Sequence, residues 1–369
     1  MASANINPRT QALHDVGQSL WLDNITRNLL SSGTLQRYIQ DLAVTGLTSN
    51  PTIFDHAISK STSYDDAIGH LRDTGIHATE DIFFRLAMDD LRRAADLFQP
   101  VYERTHGLDG FVSLEVSPLL AYDTAPTLAA AKDLFARAAR ANLFIKIPGT
   151  AAGLPAIEEA IFLGIPINVT LLFSARQYVA AAEAYTRGVE RRIAAGLSPQ
   201  VRSVASVFIS RWDKAVMGKV PETLRNQLGL AVANYTYKAY REVLGADRWK
   251  KLMAAGAMPQ RLLWASTGTK DPQAPDTFYI SALAAPDTIN TMPEETLLAF
   301  ADHGTVAQVM TGDVGRSEEV VKEFAKVGFQ VDVLAEQLQR EGAASFVKSW
   351  NELMESVRVK GAKLAAGRT

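Results

Sequence analysis

Eight short segments of β-strand character alternate with helical stretches over about 300 residues of this chain, and no other feature constrains the fold as strongly. The segments are Ser19–Ile25, Ala43–Asn50, Phe111–Ser117, Asn142–Thr150, Pro166–Leu171, Ser203–Ile209, Arg261–Ser266 and a weaker Asp287–Met292. Strands separated by helices imply a parallel sheet, because a helical crossover returns the chain to the start of a parallel neighbour. Eight of them at this length favour a closed (β/α)8 TIM barrel over an open doubly wound sheet. No glycine-rich fingerprint follows the first strand, which counts against a dinucleotide-binding fold. The expected organisation is one α/β domain spanning 1–369, with the barrel over about 17–325. Additional helices include a C-terminal extension at about 329–365.

The helical signals lie between the strands. Residues 53–108 are mostly helical, with Ile82, Phe83, Leu86, Leu91, Ala94 and Phe98 at helical spacing. Further helices are expected from Pro126 to Arg140, from Gly153 to Leu163, from a Ser174/Gln177 capping box to Gly196, and over roughly 221–256. Pro293-Glu-Glu opens another with acids in its first turn. Residues 317–365 read as helix with breaks near Gly328 and Gly342.

Apolar residues make up 47%, charged residues 21%, and the net charge is -2, a balance without the clustered basic excess of a nucleic-acid surface. No cysteine is present, which removes disulfides, thiolate nucleophiles and Cys-ligated zinc. The N-terminus lacks an apolar signal core, and no stretch approaches the roughly 18 apolar residues of a membrane span. A cytoplasmic protein without membrane or nucleic-acid partners is expected, and the sequence leaves room for a homo-oligomer.

A barrel places its chemistry on inward-facing side chains at the C-terminal strand ends. In the fourth segment Leu143, Ile145 and Ile147 share one face, while Phe144 and Lys146 share the other. Pro148-Gly149 breaks the strand just beyond Lys146. Desolvation of an amine favours its neutral, nucleophilic form; an edge-strand lysine that discourages aggregation is the alternative. The other strands decide between these. Asp23, Asn50, Glu115, Asn168, Thr170, Ser206 and Ser266 occupy equivalent positions, most alternating with apolar neighbours. Buried ionisable groups are costly unless paired or used, so Asp23, Glu115 and Lys146 on three strands suggest a working site. The residue types suit amine catalysis on a carbonyl: a lysine imine, a carboxylate to move protons and amides to hold hydroxyls. Such chemistry needs no metal and no organic cofactor.

The sequence resembles the transaldolase family. The resemblance rests on Gly46-Leu-Thr-Ser-Asn-Pro51, Val112-Ser-Leu-Glu115, Ile145-Lys146, Asn168-Val-Thr-Leu-Leu-Phe-Ser174, Ser206-Val-Phe-Ile-Ser-Arg211 and Trp264-Ala-Ser-Thr-Gly-Thr-Lys270. It implies a Schiff-base-forming barrel enzyme of the pentose phosphate pathway. Its reaction moves a dihydroxyacetone unit from sedoheptulose 7-phosphate to glyceraldehyde 3-phosphate, giving erythrose 4-phosphate and fructose 6-phosphate. On that resemblance Lys146 is the Schiff-base lysine and Asp23 the acid/base at the C4 hydroxyl. Glu115 and Thr170 hold a catalytic water. Asn50 and Asn168 bind substrate hydroxyls, Ser206 makes a further polar contact to the dihydroxyacetone part, and Arg211 binds phosphate.

Two positions need separate treatment. Many relatives carry Ser-Phe-Arg at the second phosphate contact; here Ser266-Thr-Gly-Thr-Lys270 must supply Lys270 over a longer loop. Related fructose-6-phosphate aldolases carry a tyrosine where this chain has Phe208. A phenol can hold water or give a proton to an intermediate, and phenylalanine cannot. That favours transfer over an aldolase-like lyase, while the lysine, the acid and the water-holding pair argue against a catalytically silent sugar-phosphate-binding barrel. The six histidines show no metal-ligand spacing and read as surface residues. Phe346, Trp350, Leu353 and Met354 share a helical face that must be buried somewhere.

Overall fold

The computed structural model describes residues 6–306 and 308–366. Eight parallel strands close into a barrel in chain order: β1 (Gln18–Asp23), β2 (Val44–Thr48), β3 (Val112–Glu115), β4 (Leu143–Pro148), β5 (Ile167–Leu172), β6 (Ser203–Phe208), β7 (Arg261–Ala265) and β8 (Thr288–Met292). β1 pairs with both β2 and β8, which closes the sheet. Each lies within or beside the segment expected for it, since the strand period of two gives a strong signal when both faces are buried. Leu20, Leu22, Leu143, Ile145, Ile147 and Val169 face the outer helices. Trp21, Phe144, Val204, Phe208, Leu263 and Ile289 fill the interior.

The lower half of the barrel is plugged by matched large, small and charged residues. Gly46 sits opposite Trp21, where a Cβ would lie 2.4 Å from the indole ring. Phe111 and Phe144 stack at 4.2 Å. Below them Arg261 is buried; its guanidinium donates to Ser19 Oγ at 2.7 Å and the Thr288 carbonyl at 2.9 Å. Asp109 lies 3.7 Å from Arg261 and accepts from Trp21 Nε1 at 2.6 Å. A buried ion pair survives when such hydrogen bonds replace the lost hydration. The plug fills the lower interior; a barrel of this kind carries its chemistry at the upper end, where the strands finish.

The helices depart from expectation in three places. Gln177 reaches back to Phe173 N (2.8 Å), one residue earlier than a simple capping box, while Ser174 Oγ accepts from Gln177 N (3.2 Å). The stretch at 221–256 divides into a short turn Glu222–Leu224 and two helices, Leu228–Gly245 and Asp247–Ala254, separated by Ala246 in extended conformation. The expected break at Gly328 is present, but that at Gly342 is not: one helix runs Val331–Ala366. A glycine inside a helix costs about 1 kcal/mol relative to alanine. Here its bare backbone lets the helix lie close to the barrel: a Cβ at Gly342 would stand 3.0 Å from Leu171 Cδ2.

That closeness brings the first half of the C-terminal helix across the barrel mouth. Leu334, Ala335, Leu338, Ala343 and Phe346 join the interior cluster. Trp350, Leu353 and Val357 pack instead with the outer helices, where Trp350 meets Phe83 edge-on at 5.2 Å. No helix among the described residues is long and apolar enough to cross a membrane.

Candidate active site

Strand register aligns the first row of the site. Glu115 pairs with Lys146, and Lys146 with Asn168, so the three side chains stand side by side on the inner face. Lys146 is 5% exposed, buried enough that its contacts define its environment. Its Nζ lies 3.2 Å from Glu115 Oε2 and donates to the Ser49 carbonyl at 3.2 Å. Burial pushes the Glu115 carboxyl up, against the opposing pull of Lys146. A carboxylate held this way is a ready acceptor for a proton from its lysine neighbour. Apart from the Lys146 contact the Glu115 carboxylate has no hydrogen-bond partner within the protein, and the buried Thr170 Oγ1 has none. Ordered water is the usual partner of buried polar atoms left over in this way.

Asp23, at the end of β1, completes the charged group. Burial pushes it up; Lys146, a hydrogen bond from Thr48 Oγ1 (2.7 Å) and Lys270 hold it down. The Lys146 charge is the largest of these opposing influences, so both carboxylates feel the same ammonium. Thr48 also shares a 2.7 Å hydrogen bond with Thr291, which fixes its hydroxyl between β1 and β8.

The amides are oriented by their own neighbours. Asn50 is the N-cap of helix Pro51–Ser59; its Oδ1 accepts from Ile53 N at 3.1 Å, committing the oxygen and leaving the NH2 group as the donor. Asn168 donates to Ser113 Oγ at 3.2 Å and accepts from Ser206 Oγ at 2.7 Å. Phe208 forms an apolar wall, with its ring 5.4 Å from Phe173.

The far end of the pocket is cationic. Arg211 lies in the first turn of helix Ser210–Val216, directly after β6. Burial lowers it, and Glu341 on the C-terminal helix opposes that. Lys270 is exposed as a residue, but its Nζ turns back to lie 3.4 Å from the position of a Cβ on Gly268. Its ammonium is accordingly lowered by desolvation and by the Arg211 and Lys214 charges, against Glu295 and Asp23. Two cations that repel each other gain when an anion comes between them. Ser266, with φ 55, shares a 2.9 Å hydrogen bond with Ser210 and joins the two loops below these cations.

The structure therefore brings all eleven sequence-expected positions to the upper end of the barrel. It also adds residues that sequence reasoning missed. The Ser49 carbonyl and Thr48 hydroxyl lie within a quoted motif, but which of its atoms would bond Lys146 and Asp23 depends on loop geometry. Ser113 has the inward parity of β3 and was readable as an Asn168 partner. Phe346, whose ring lies 5.9 Å from Lys146 Nζ, comes from a helix whose periodicity signals a buried face without saying where.

Residues 20–357 match a family model described as transaldolase/fructose-6-phosphate aldolase. The chain is 44% identical over 359 residues to a transaldolase of Saccharopolyspora erythraea, covering 95% of this chain and 97% of that protein. It is 44% identical over 358 residues to a transaldolase of Thermobifida fusca, covering 94% and 96%. A transaldolase of Mycolicibacterium smegmatis is 42% identical over 362 residues, covering 95% and 97%.

Proposed function

The chain belongs to the transaldolase/fructose-6-phosphate aldolase family and is a transferase of the transaldolase type, and on that premise we propose that Lys146 carries a dihydroxyacetone unit between sugar phosphates as a Schiff base. The donor is sedoheptulose 7-phosphate and the acceptor glyceraldehyde 3-phosphate, in the non-oxidative pentose phosphate pathway. The reading extends to the cytoplasm, where such phosphorylated sugars are exchanged. The observation that carries it is the buried Lys146 ammonium, 3.2 Å from Glu115 and under the charge of Asp23, at the mouth of a barrel.

Each step follows from a named group. Lys146, relieved of its proton by Glu115, adds to the donor C2 carbonyl. Water held by Glu115 and Thr170 supplies the proton that lets the carbinolamine hydroxyl leave as water. The protonated imine then draws electrons from the C3–C4 bond as Asp23 takes the C4 hydroxyl proton. Erythrose 4-phosphate departs and an enamine remains on Lys146. Its carbon adds to the acceptor aldehyde, Asp23 returns the proton to the new hydroxyl, and water hydrolyses the imine to fructose 6-phosphate. Asn50, Asn168 and Ser206 hold the hydroxyls of the three-carbon unit.

Phe208 supports transfer over cleavage, because its ring offers neither a proton nor a water site to the enamine. With fructose 6-phosphate as donor, erythrose 4-phosphate should accelerate donor consumption and yield sedoheptulose 7-phosphate. Free dihydroxyacetone accumulating at one rate with and without acceptor would overturn the transfer reading in favour of a lyase.

Arg211 and Lys270 are assigned to the phosphate. A charge-assisted hydrogen bond is worth about 1.5–3 kcal/mol. Arg211→Ala and Lys270→Ala should therefore each lower kcat/KM for phosphorylated substrates by about tenfold or more. Steady-state assays with glyceraldehyde 3-phosphate and with unphosphorylated glyceraldehyde check this. Equal losses on both acceptors would contradict the assignment.

A further inference from the structure

We infer that Phe346, brought over the lysine pocket by the C-terminal helix, is a specificity-determining residue that keeps water from the donor–lysine intermediate. The inference rests on the Schiff-base reading above and concerns what becomes of the intermediate once the first product has left.

Three features of one helical stripe hold Phe346 in place. Gln339 Nε2 donates to two loop carbonyls, Gly149 at 3.1 Å and Leu171 at 2.9 Å. One turn on, Gly342 allows the helix backbone to lie against Leu171 and Phe173, with a Cβ there meeting them at 3.0 and 3.5 Å. One further turn brings Phe346 over the pocket. Residues three to four positions apart lie on one helix face, so latch, close approach and ring act together. The barrel side is shaped to match. Leu171 has φ 58, at a register shift between Val169 and Leu172 in the β5–β6 pairing. Its side chain joins the interior cluster, while its carbonyl receives Gln339.

The resulting surround is asymmetric. Phe346 is 6% exposed; its ring lies 5.9 Å from Lys146 Nζ and 6.4 Å from the Phe208 ring, at 61°. Phe208 in turn packs on Phe173. Phe346 thus covers the lysine from the helix side, backed by Phe208 and Phe173, whereas Asp23, Asn50, Arg211 and Lys270 make up the polar part of the site. Phe208 forms a wall and Phe346 the roof.

The roof matters for one competing reaction. Loss of the intermediate without transfer requires a proton added to the enamine carbon, giving the iminium. A water must then add to the imine carbon; its oxygen becomes the carbonyl of free dihydroxyacetone, and Lys146 leaves as the amine. Both the proton donor and the water must reach the nitrogen-bearing carbon unit. An aromatic face over Nζ excludes them from that side and meets the cationic iminium with its negative quadrupole.

The test compares Phe346→Ala and Phe346→Leu with the parent protein, using fructose 6-phosphate. Two rates are measured: dihydroxyacetone release without acceptor, and transfer to erythrose 4-phosphate. The ratio of release to transfer should rise about tenfold in the alanine variant, which opens the roof, and stay within about twofold in the leucine variant, which keeps it filled. Gln339→Ala, which loosens the helix without emptying the core, should raise the ratio in the same direction, so a poorly folded alanine variant leaves the test intact. Release and transfer falling in equal proportion across Phe346→Ala and Gln339→Ala, with the ratio unchanged, would overturn the inference and leave Phe346 a packing residue. Failure of borohydride to trap fructose 6-phosphate on Lys146 of the parent would overturn the Schiff-base reading itself, and this inference with it.

Discussion

Lys146→Met should lower transfer by at least about four orders of magnitude, the scale on which loss of a covalent nucleophile registers. Methionine keeps most of the lysine stem and removes only the amine. Asp23, Glu115, the amides and the phosphate end remain, so substrate binds but no imine forms. The substitution also leaves Glu115 without its partner at 3.2 Å. Breaking a buried pair costs about 3–5 kcal/mol when the remaining charge persists. Burial already pushes Glu115 up, so protonation relieves part of that cost. Adding Glu115→Gln should then restore thermal stability to Lys146→Met and return no activity. Lys146→Arg should be equally inactive, because a guanidinium keeps the charge but does not become a free amine. Substantial turnover by the arginine variant would contradict a nucleophilic role.

Asp23→Ala should separate adduct formation from turnover. The imine should still form and be trapped by borohydride, while kcat falls by about 100- to 10,000-fold, the usual range for a lost proton-transfer group. The pH profile carries the same signature. Asp23 must be ionised to accept the C4 hydroxyl proton, and burial raises it, so activity is lost on acidification sooner than an ordinary aspartate would dictate. Thr48→Val removes the 2.7 Å hydrogen bond that favours the charged form. The acidic limb of kcat/KM should therefore move to higher pH in that variant, and in Asp23→Ala only the limb set by Glu115 should remain. Trapping and turnover lost in parallel would show that Asp23 acts before the imine forms.

The barrel was legible because its strands are buried on both faces yet still alternate in chemistry. Leu143, Ile145 and Ile147 against Phe144 and Lys146 gave parity, and parity gave direction. The same rule groups Asp23, Glu115 and Lys146 from the sequence. Helices yielded less. The periodicity of Phe346, Trp350 and Leu353 signals a buried stripe, but one half of it meets the barrel mouth and the other the outer helices. A stripe cannot distinguish these partners. Gly342 is illegible for a related reason: glycine disfavours a helix locally, and only the nearness of Leu171 shows what its small size allows. Lys270 shows the limit at the phosphate end. Its loop length was readable, whereas the turn of its ammonium back over Gly268 belongs to the folded loop.

The central claim is that Lys146 holds the three-carbon unit covalently. Incubating the protein with fructose 6-phosphate, reducing with borohydride and mapping the product by peptide mass spectrometry tests it most directly. The expected result is a reduced dihydroxyacetone adduct on Lys146 alone, formed in parallel with loss of activity. No adduct, or an adduct on another lysine with Lys146 unmodified, would contradict the account.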